Sequence, residues 1–332
     1  MKKVIGLGSP IIDEIAFVGD EFLKKLGGSK GGMELINENE LVTIQNLLSS
    51  SKLTRQTGGS AGNTIFALAK LGMPTKFISK LGNCKSGNYY KNSFSKIGGD
   101  TTSFKIGSKK NGTCISLVTP DGERTMKTFL GAANELDSSE LNDTDFFDCR
   151  HLHIEGFMIH NKSVLYKALE IGKSRNCTIS FDLASFEIVQ QYKDELKVIL
   201  NDYVDMVFAN IDEVTAFTGL GHTNAEKSAI ELNQLCSIAA VKLGAKGSII
   251  STKGNIFKID AIPTTDILDT TAAGDYWAAG FIFGIITKKS IEDSAYYASL
   301  MASKVIKNQG ACLTEDDWIE LGNILSCNQN IH

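Results

Sequence analysis

The sequence predicts an α/β protein in which a mostly parallel sheet is covered by helices and a smaller sheet stands apart. Three observations support this. From residue 150 onward, short apolar runs alternate with helical patterns, which is typical of parallel sheets with crossover helices. Between residues 101 and 129 the pattern changes to short strands around an Asp-Gly turn, a strong hairpin signal. At 332 residues the chain can bury one large domain or two smaller ones, and the pattern favours one domain with a lid.

Composition and charge favour an ordinary globular protein over several other classes. Charged residues make up 22% and hydrophobic residues 42% of the chain, as in typical globular domains. The formal net charge of -4 gives no electrostatic reason to expect nucleic acid or an anionic membrane as a partner. No apolar run approaches the ~20 residues of a spanning helix, and no signal-peptide pattern is present. Seven cysteines without metal-type spacing indicate free thiols in a reducing compartment. We therefore expect a cytoplasmic protein.

The first strands carry one candidate site residue and exclude one class of enzyme. Residues 4–7 and 12–18 have the pattern of strands. The Gly-Leu-Gly at residues 6–8 is similar to the start of a dinucleotide-binding fingerprint, but Ile11 occupies the position of its third glycine and no helix start follows. A nicotinamide-dependent oxidoreductase is therefore disfavoured. Asp13 lies between apolar residues, either as a solvent-facing strand residue or as a carboxylate that holds sugar hydroxyls.

A double glycine precedes the helical pattern of residues 65–71, which Gly72 and Pro74 terminate. Gly58 and Gly59 allow the backbone to approach a ligand closely. Asn63 lies in the first turns of the helix and can donate to and accept from hydroxyl groups. An ordinary turn with a helix cap explains the same residues.

The hairpin of residues 113–118 and 124–129, together with the strand that contains Asp13, predicts the small sheet. We interpret this sheet as a lid built from about residues 12–45 and 102–132. Arg124 follows the Asp-Gly turn directly. It is either a solvated surface residue or a lid arginine that reaches a transferring phosphoryl group.

The second half of the chain carries candidate residues after its predicted strands. Strands are predicted at residues 151–156, 178–183, 206–210, 239–243 and 248–251, and helices at 162–173, 192–200, 224–235, 295–307 and 316–325. Ligands of open α/β sheets bind beyond the carboxyl ends of the strands. Asn210 and Glu213 follow one such end, and Lys242 and Gly244 follow another. Each is a plausible nucleotide contact or only a loop residue.

Residues 269–275, Asp-Thr-Thr-Ala-Ala-Gly-Asp, lead into the uniformly apolar run 276–286. A helix that is apolar on every face is buried on every face. The first backbone N–H groups of such a helix have no intrahelical partner and form an anion site at the positive end of its dipole. Asp275 falls in or near this first turn, where a carboxylate could accept a proton from a substrate hydroxyl. A first-turn Asp that only complements the dipole is also common.

Taken together, residues 58–63, 269–275 and 279–281 resemble the two signatures of the ribokinase-like carbohydrate kinases, also called the PfkB family. The similarity covers nearly the whole chain in the family's order. Within this family the chain most resembles the adenosine kinase branch. The resemblance lies in residues 8–13 (with Ser9 where Asn is usual), Arg124, and residues 132–134, 155–157 and 210–217. The resemblance implies one ribokinase-like kinase domain over residues 1–332, with a three-layer α/β/α architecture, a mostly parallel central sheet and a small β-sheet lid.

The resemblance also implies a role for each matching residue. Asp275 would be the base and Arg124 would meet the phosphoryl group when the lid closes. The anion hole would be formed by the amides of Ala272, Ala273 and Gly274. The substrate hydroxyls would be held by Asp13, Gly58, Gly59 and Asn63. The nucleotide would be contacted by Asn210, Glu213, Lys242, Gly244 and Asn308. Glu213 would hold Mg²⁺ through water, and Asp269 would lie near a monovalent cation such as K⁺.

These roles imply an ATP- and Mg²⁺-dependent kinase that phosphorylates a primary hydroxyl of a sugar or nucleoside, with an adenosine-like or ribosyl substrate favoured, as a monomer or homodimer. The alternative is a catalytically weak or silent homologue that binds a nucleoside or sugar phosphate for regulation. Its support is Ala272, which stands where the family usually has glycine. A positive φ at Ala272 would cost about 1 kcal/mol, whereas helical dihedrals would remove that cost.

Overall fold

The computed structural model describes residues 2–27, 30, 32–121 and 123–327. Within them, nine strands form a large sheet in the order β14-β13-β12-β11-β10-β9-β1-β5-β6. In chain order they are β1 Lys3–Leu7, β5 Thr75–Gly82, β6 Phe104–Gly107, β9 Cys149–Glu155, β10 Thr178–Asp182, β11 Met206–Asn210, β12 Ile238–Lys242, β13 Ser248–Thr252 and β14 Asn255–Ile259. β13 and β14 pair antiparallel at one edge, and the other strands pair in parallel. The mostly parallel sheet is confirmed.

Helices cover both faces of this sheet. In chain order the helices of the described residues are α1 Asp20–Leu26, α2 Glu38–Leu47, α3 Ser60–Lys70, α4 Lys85–Lys96, α5 Lys162–Ser174, α6 Phe186–Asp202, α7 Ile211–Thr218, α8 Ala225–Asn233, α9 Ala273–Ile286, α10 Ile291–Val305 and α11 Glu315–Cys327. Of these, α1 and α2 pack on a smaller sheet and not on this one. One hydrophobic core joins the sheet to α5, α6, α7 and α8. A second core joins the other face to α3, α4, α9, α10 and α11. The three-layer α/β/α architecture is therefore confirmed.

A smaller sheet of five strands among the described residues has the order β3-β8-β7-β2-β4. Its strands are β2 Ile11–Phe17, β3 Met33–Leu35, β4 Thr54–Gly58, β7 Thr113–Val118 and β8 Arg124–Phe129. One face packs on α1 and α2 in a separate hydrophobic cluster. The other face is turned toward the large sheet, because Asp13, Met126 and Thr128 line the cavity between the two sheets.

The membership of the small sheet differs from the prediction at two strands. β4 belongs to it although it lies outside residues 12–45, and β6 pairs with β5 in the large sheet although it lies within residues 102–132. A strand pattern does not encode a distant pairing partner, which is why both were misplaced. The hairpin of β7 and β8 is confirmed, with Val118 opposite Arg124. Gly122 of its predicted turn lies outside the described residues.

The helix that follows the anion-site motif is buried as predicted. α9 begins at Ala273, and its side chains from Tyr276 through Phe283 are buried between the sheet, α3 and α10. The buried apolar residues of this helix therefore hold its polar first turn at the carboxyl ends of the parallel strands. Across the part of the chain that the structure describes, no helix is both long and apolar enough to cross a membrane.

Candidate active site

A cavity of about 1220 Å³ separates the small sheet from the large one. Its floor consists of the carboxyl ends of the parallel strands and of the first turns of α3 and α9. The residues that the floor contributes include Ser60, Asn63, Glu155, Asp182, Asn210, Lys242, Gly274 and Asp275. Binding at strand carboxyl ends is the expected location for a ligand in such a sheet.

Asp275 is fixed in the first turn of α9 by two side chains of α3. The hydroxyl of Ser60 donates to Oδ1 and the Nδ2 amide of Asn63 donates to Oδ2, each at 2.8 Å. Burial raises the pKa of Asp275 to about 7, while the bonds from Asn63 and Ser60 lower it, Asp182 raises it further and Lys242 lowers it. A carboxylate with a pKa near neutrality can take up a proton from a hydroxyl and release it again.

The open amides of this turn differ in part from the prediction. The N–H of Ala273 donates to the Thr270 carbonyl at 3.2 Å, because a turn precedes the helix, so this amide is not available to an anion. The N–H groups of Ala272, Gly274 and Asp275 have no hydrogen-bond partner among the described residues. Of these three residues, Gly274 and Asp275 line the cavity and Ala272 does not. Ala272 has φ -93° and ψ 8°. Its φ is negative, so its methyl group introduces no left-handed strain.

Lys242 lies beside these amides. A Cβ atom added to Gly274 would lie 3.2 Å from the Lys242 Nζ, and Nζ donates to Oδ2 of Asp182 at 2.9 Å. Burial alone lowers the pKa of Lys242, but the carboxylates of Asp182 and Glu213 outweigh it and the pKa is raised. A charged ammonium therefore stands next to two open amides and the Asp275 carboxylate. This combination favours a bound phosphate.

At the opposite side of the cavity, the small sheet contributes Asp13. Burial raises the pKa of Asp13 to about 7, Arg124 lowers it and Asp269 raises it. A Cβ atom on Gly58 would lie 2.3 Å from the Asp13 carboxylate, and one on Gly59, where φ is +89°, would lie 2.1 Å from the Ser9 carbonyl. Both positions therefore exclude a side chain. Gly58 acts by leaving room for Asp13, and it does not itself line the cavity.

The Asn210 and Glu213 side chains are engaged with each other at the start of α7. Asn210 donates to both Glu213 carboxylate oxygens, from N–H at 2.7 Å and from Nδ2 at 2.8 Å, and its Oδ1 accepts from the Glu213 N–H at 2.9 Å. Glu213 is only 3% exposed, and burial, with Asp182, raises its pKa to about 7. The described residues contain no group of three or more His, Cys, Asp or Glu side chains that could hold a metal ion.

Arg124 does not line the cavity. Its guanidinium pairs with Asp269 and donates from Nε to the Ser116 hydroxyl at 2.9 Å. Asp269 also accepts from the N–H groups of Thr271 at 3.0 Å and Gly310 at 2.6 Å. Burial raises the pKa of Asp269, but these donors outweigh it and the pKa is lowered. The predicted phosphoryl contact and the predicted cation ligand therefore form an ion pair that links the small sheet to the loop before α9.

Three further predicted residues have different environments. Gly244 lines the cavity with φ +60°. Asn63 lines it too, and its Nδ2 amide donates one hydrogen bond to Asp275. Asn308 does not line the cavity, because its Nδ2 donates to the Lys304 carbonyl at 3.1 Å at the end of α10.

Sequence reasoning did not identify Ser60, Glu155 or Asp182 as site residues. Glu155 is 1% exposed and accepts from the Ser9 and Ala61 N–H groups at 2.9 and 3.0 Å, and burial raises its pKa to about 6. Glu155 and Asp182 both end parallel strands of the predicted sheet, so the carboxyl-end rule could have identified them. Ser60 lies within the motif of residues 58–63, which could have identified it.

Comparisons with known proteins agree with this architecture. Residues 33–318 match the pfkB family carbohydrate kinase. Adenosine kinase 2 of Arabidopsis thaliana is 26% identical over 93% of this chain and 94% of its own. The 5-dehydro-2-deoxygluconokinase of Bacillus subtilis (strain 168) is 25% identical over 78% of this chain and 83% of its own.

Solved structures extend the similarity to the whole chain. Adenosine kinase from Sinorhizobium meliloti superimposes with a TM-score of 0.87 and 28% identity, covering 99% of both chains. A probable sugar kinase from Rhizobium etli CFN 42 gives a TM-score of 0.88 with 26% identity, covering 99% of this chain and 98% of its own. The adenosine kinase-like branch is thus supported by sequence and by structure. The chain belongs to the pfkB family of carbohydrate kinases, which are phosphotransferases that act on hydroxyl groups.

Proposed function

We propose that the protein transfers the γ-phosphoryl group of ATP to a primary hydroxyl of a nucleoside or ribosyl substrate. The observation that carries the proposal is the first turn of α9, where the oriented Asp275 carboxylate, two open amides and the Lys242 ammonium converge. The carboxylate is a base, and the amides and the ammonium, which β12 contributes, are positive groups for a transferring phosphate. Their convergence suits in-line transfer, which depends on positioning and on electrostatic stabilisation.

In this proposal Asp275 accepts the proton of the attacking hydroxyl, and the bonds from Ser60 and Asn63 hold its carboxylate in place. The amides of Gly274, which belongs to the predicted anion hole, and of Asp275 form the anion site together with Lys242 and stabilise the charge on the phosphoryl oxygens. Arg124 reaches the phosphoryl group only if its ion pair with Asp269 opens, which we assign to closure of the small sheet as a lid.

The metal requirement is proposed from the family and from the donors at the cavity. Mg²⁺ bound with the nucleotide neutralises phosphate oxygens. It usually keeps several waters and takes one or two carboxylates. Each Glu213 oxygen accepts one hydrogen bond from Asn210 and retains a lone pair, which suits contact through water. A monovalent cation beside Asp269 stays a prediction, because that carboxylate is already bonded to N–H groups and to Arg124.

The lining of the substrate side favours a nucleoside. Met33, Leu35, Met126 and Phe157 line this part of the cavity, and such side chains suit an apolar, planar base. Asp13 supplies a carboxylate for ribosyl hydroxyls. The adenosine kinase relative also covers more of this chain than the gluconokinase relative does, 93% against 78%. These observations support an adenosine-like substrate over a free sugar.

An ATP-consumption assay with a panel of nucleosides, pentoses and hexoses tests the proposal. We expect turnover with at least one ribonucleoside, with the phosphate on its primary hydroxyl, and none with the deoxy analogue that lacks that hydroxyl. Turnover with hexoses or pentoses alone would contradict the nucleoside assignment. Sedimentation at the assay concentration determines whether the protein is a monomer or a homodimer.

The silent homologue remains the second candidate, with Ala272 as its sequence support. The negative φ at Ala272 removes the strain on which a loss of activity would depend. ATP and nucleoside binding without turnover by any acceptor of the panel would favour this second candidate.

A further inference from the structure

The proposed chemistry does not use one buried carboxylate of the cavity floor, that of Asp182 at the end of β10. Asp182 is 5% exposed, and a buried carboxylate is costly unless it is paired and hydrogen-bonded. Its two oxygens have different partners. Oδ1 accepts from the N–H of Ala184 at 2.9 Å, and Oδ2 accepts from the Lys242 ammonium at 2.9 Å. Asp182 therefore joins the backbone after β10 to a lysine of β12.

The backbone that follows Asp182 is held in a sharp turn. Ser185 donates from its N–H to the Leu183 carbonyl at 2.8 Å, which closes a turn of three residues. Ala184 at its centre has φ +68°, a strained conformation that persists only where the surrounding structure fixes it. Gly156 packs directly on this segment, since a Cβ atom there would lie 2.6 Å from the Asp182 carbonyl oxygen. The direction of the Asp182 carboxylate is therefore fixed by contacts of the backbone itself.

The Lys242 side chain has to be held, because its four-carbon stem is flexible. β11 lies between β12 and β10, so the lysine reaches Asp182 across an intervening strand. Among the described residues, Asp182 is the one that forms an ion pair with Nζ, which leaves two of the three N–H donors open. Burial lowers the pKa of this lysine, but three carboxylates outweigh burial and raise it, Asp182 first and then Glu213 and Asp275. Glu213 and Asp275 are therefore competing partners for the same ammonium.

We propose that Asp182 is a positioning residue that holds the Lys242 ammonium beside the open amides of α9, where it meets a phosphate. Nζ lies 3.2 Å from the position of a Cβ atom on Gly274, next to those amides. Pairing with Asp182 also keeps the ammonium from pairing with Asp275, whose carboxylate stays available as a base. The inference rests on the proposed function, because Lys242 and Asp275 have these roles only in phosphoryl transfer.

Replacement of the carboxylate by an amide tests the pairing. In Asp182→Asn the side-chain oxygen still accepts from the Ala184 N–H, as asparagine does in such turns, and the Nδ2 group that faces Lys242 is a donor. By calorimetry with Mg²⁺ and a non-hydrolysable ATP analogue, we expect D182N to weaken analogue binding about tenfold, as for one lost hydrogen bond between charged groups. Asp182→Glu keeps a carboxylate and should stay within about threefold of wild type. Unchanged or tighter binding in D182N, or equal losses in both variants, would overturn the proposal.

A double-mutant cycle with Lys242 separates positioning from other effects. In a Lys242→Met background no ammonium is left to position, and the Asp182 carboxylate only repels phosphate. D182N should therefore leave analogue binding unchanged or tighten it in this background, although it weakens binding in the wild type. Losses of equal size in both backgrounds would overturn the proposal, because they would show general damage to the site.

Asp145→Asn is the matched control. Asp145 is also 5% exposed and has the same two kinds of partner, the Lys105 ammonium at 3.0 Å and a backbone N–H, that of Asn142, at 2.9 Å. It does not line the cavity. D145N should lower the melting temperature without changing analogue binding. A loss of affinity in D145N as large as that in D182N would overturn the proposal.

The acidic limb of the pH profile of kcat/KM gives a readout that a loss of folding stability does not move. Burial raises the pKa of Asp275, the Asp182 carboxylate raises it further and Lys242 lowers it. The limb should therefore move to lower pH in D182N, where the ammonium is also free to approach Asp275, and to higher pH in Lys242→Met. Shifts in the same direction would overturn the proposal.

If D182N does not fold, Asp182→Ser replaces it, because a serine hydroxyl also accepts from the N–H group two residues on. The same results are expected in the wild type and in the Lys242→Met background. Coupling between Asp182 and Lys242 in analogue binding, found in a protein that phosphorylates no acceptor, would reject the proposed function and leave the role of Asp182 intact.

Discussion

Two helices, α7 and α9, begin at the same cavity, but only one of their first turns is capped. The first turn of α7 is closed, because Asn210 and Glu213 cap each other through three hydrogen bonds. The first turn of α9 has no side-chain cap, and its Gly274 and Asp275 amides have no partner among the described residues. Both turns have the same dipole and the same location at strand ends. This difference indicates that the capped N-terminus of α7 stabilises the fold, whereas the N–H groups at the N-terminus of α9 are available to a ligand.

The largest expected effect is the loss of turnover when the Asp275 carboxylate in the first turn of α9 is replaced. Asp275→Asn removes the base but keeps an acceptor for Ser60, so we expect turnover to fall by about 10²- to 10⁴-fold while the ATP analogue still binds. Steady-state kinetics and calorimetry measure the two quantities. Unchanged turnover would remove Asp275 from the role of base.

Adding a side chain to the open turn should affect function and stability in opposite directions. In Gly274→Ala the new Cβ would lie 3.2 Å from the Lys242 Nζ and beside the open amides, so we expect analogue affinity to fall about tenfold. The free energy of unfolding should rise by about 0.5–1 kcal/mol, because alanine favours the helix. Gly322→Ala in α11, where a Cβ would have no neighbour within 4 Å, is the control for stability alone. Unaltered affinity in G274A would mean that these amides do not bind phosphate.

Removing the side-chain cap of α7 should mainly lower the free energy of unfolding. Asn210→Ala removes the side-chain cap of α7 and the Nδ2 donor to the buried Glu213, while the backbone N–H donor stays, so we expect the free energy of unfolding to fall by about 1–2 kcal/mol. Ser290→Ala removes the cap of α10, where Ser290 accepts from the Asp293 N–H at 3.0 Å and no buried carboxylate depends on it. Denaturant titration should therefore give a smaller loss for S290A. Equal losses would show that Glu213 does not depend on Asn210.

The smallest expected effect is on the melting temperature and its pH dependence, through the Asp13 carboxylate of the small sheet. The pKa of Asp13 is raised from 3.8 to about 7 in the fold, so its protonated form favours folding at low pH, and that contribution is lost as the pH rises toward 7. Asp13→Asn should therefore raise the melting temperature relative to wild type at pH 8, with a smaller gain at pH 5. A gain that is independent of pH would contradict the raised pKa.

The parts of the molecule that were predicted from the sequence are those with local signals. The uniformly apolar run after Asp275 predicted a buried helix, and its polar first turn followed from the physics of helix termini. The partners of β4 and β6 were not predictable, because pairing between distant strands leaves no local pattern. The engagement of Ala273 with Thr270 depends on turn geometry that the residue types do not specify.

Charged neighbours explain the remaining differences. Arg124 and Asp269 were predicted in separate roles, and their ion pair arises only because the small sheet packs on the loop before α9.

The central claim is that Asp275 is a base whose pKa is raised by burial. The pH dependence of kcat/KM with a saturating concentration of the second substrate tests it most directly. With a pKa of about 7, kcat/KM should fall about tenfold for each pH unit below that value and level off above it. A profile that is flat from pH 5 to 8 would contradict the assignment.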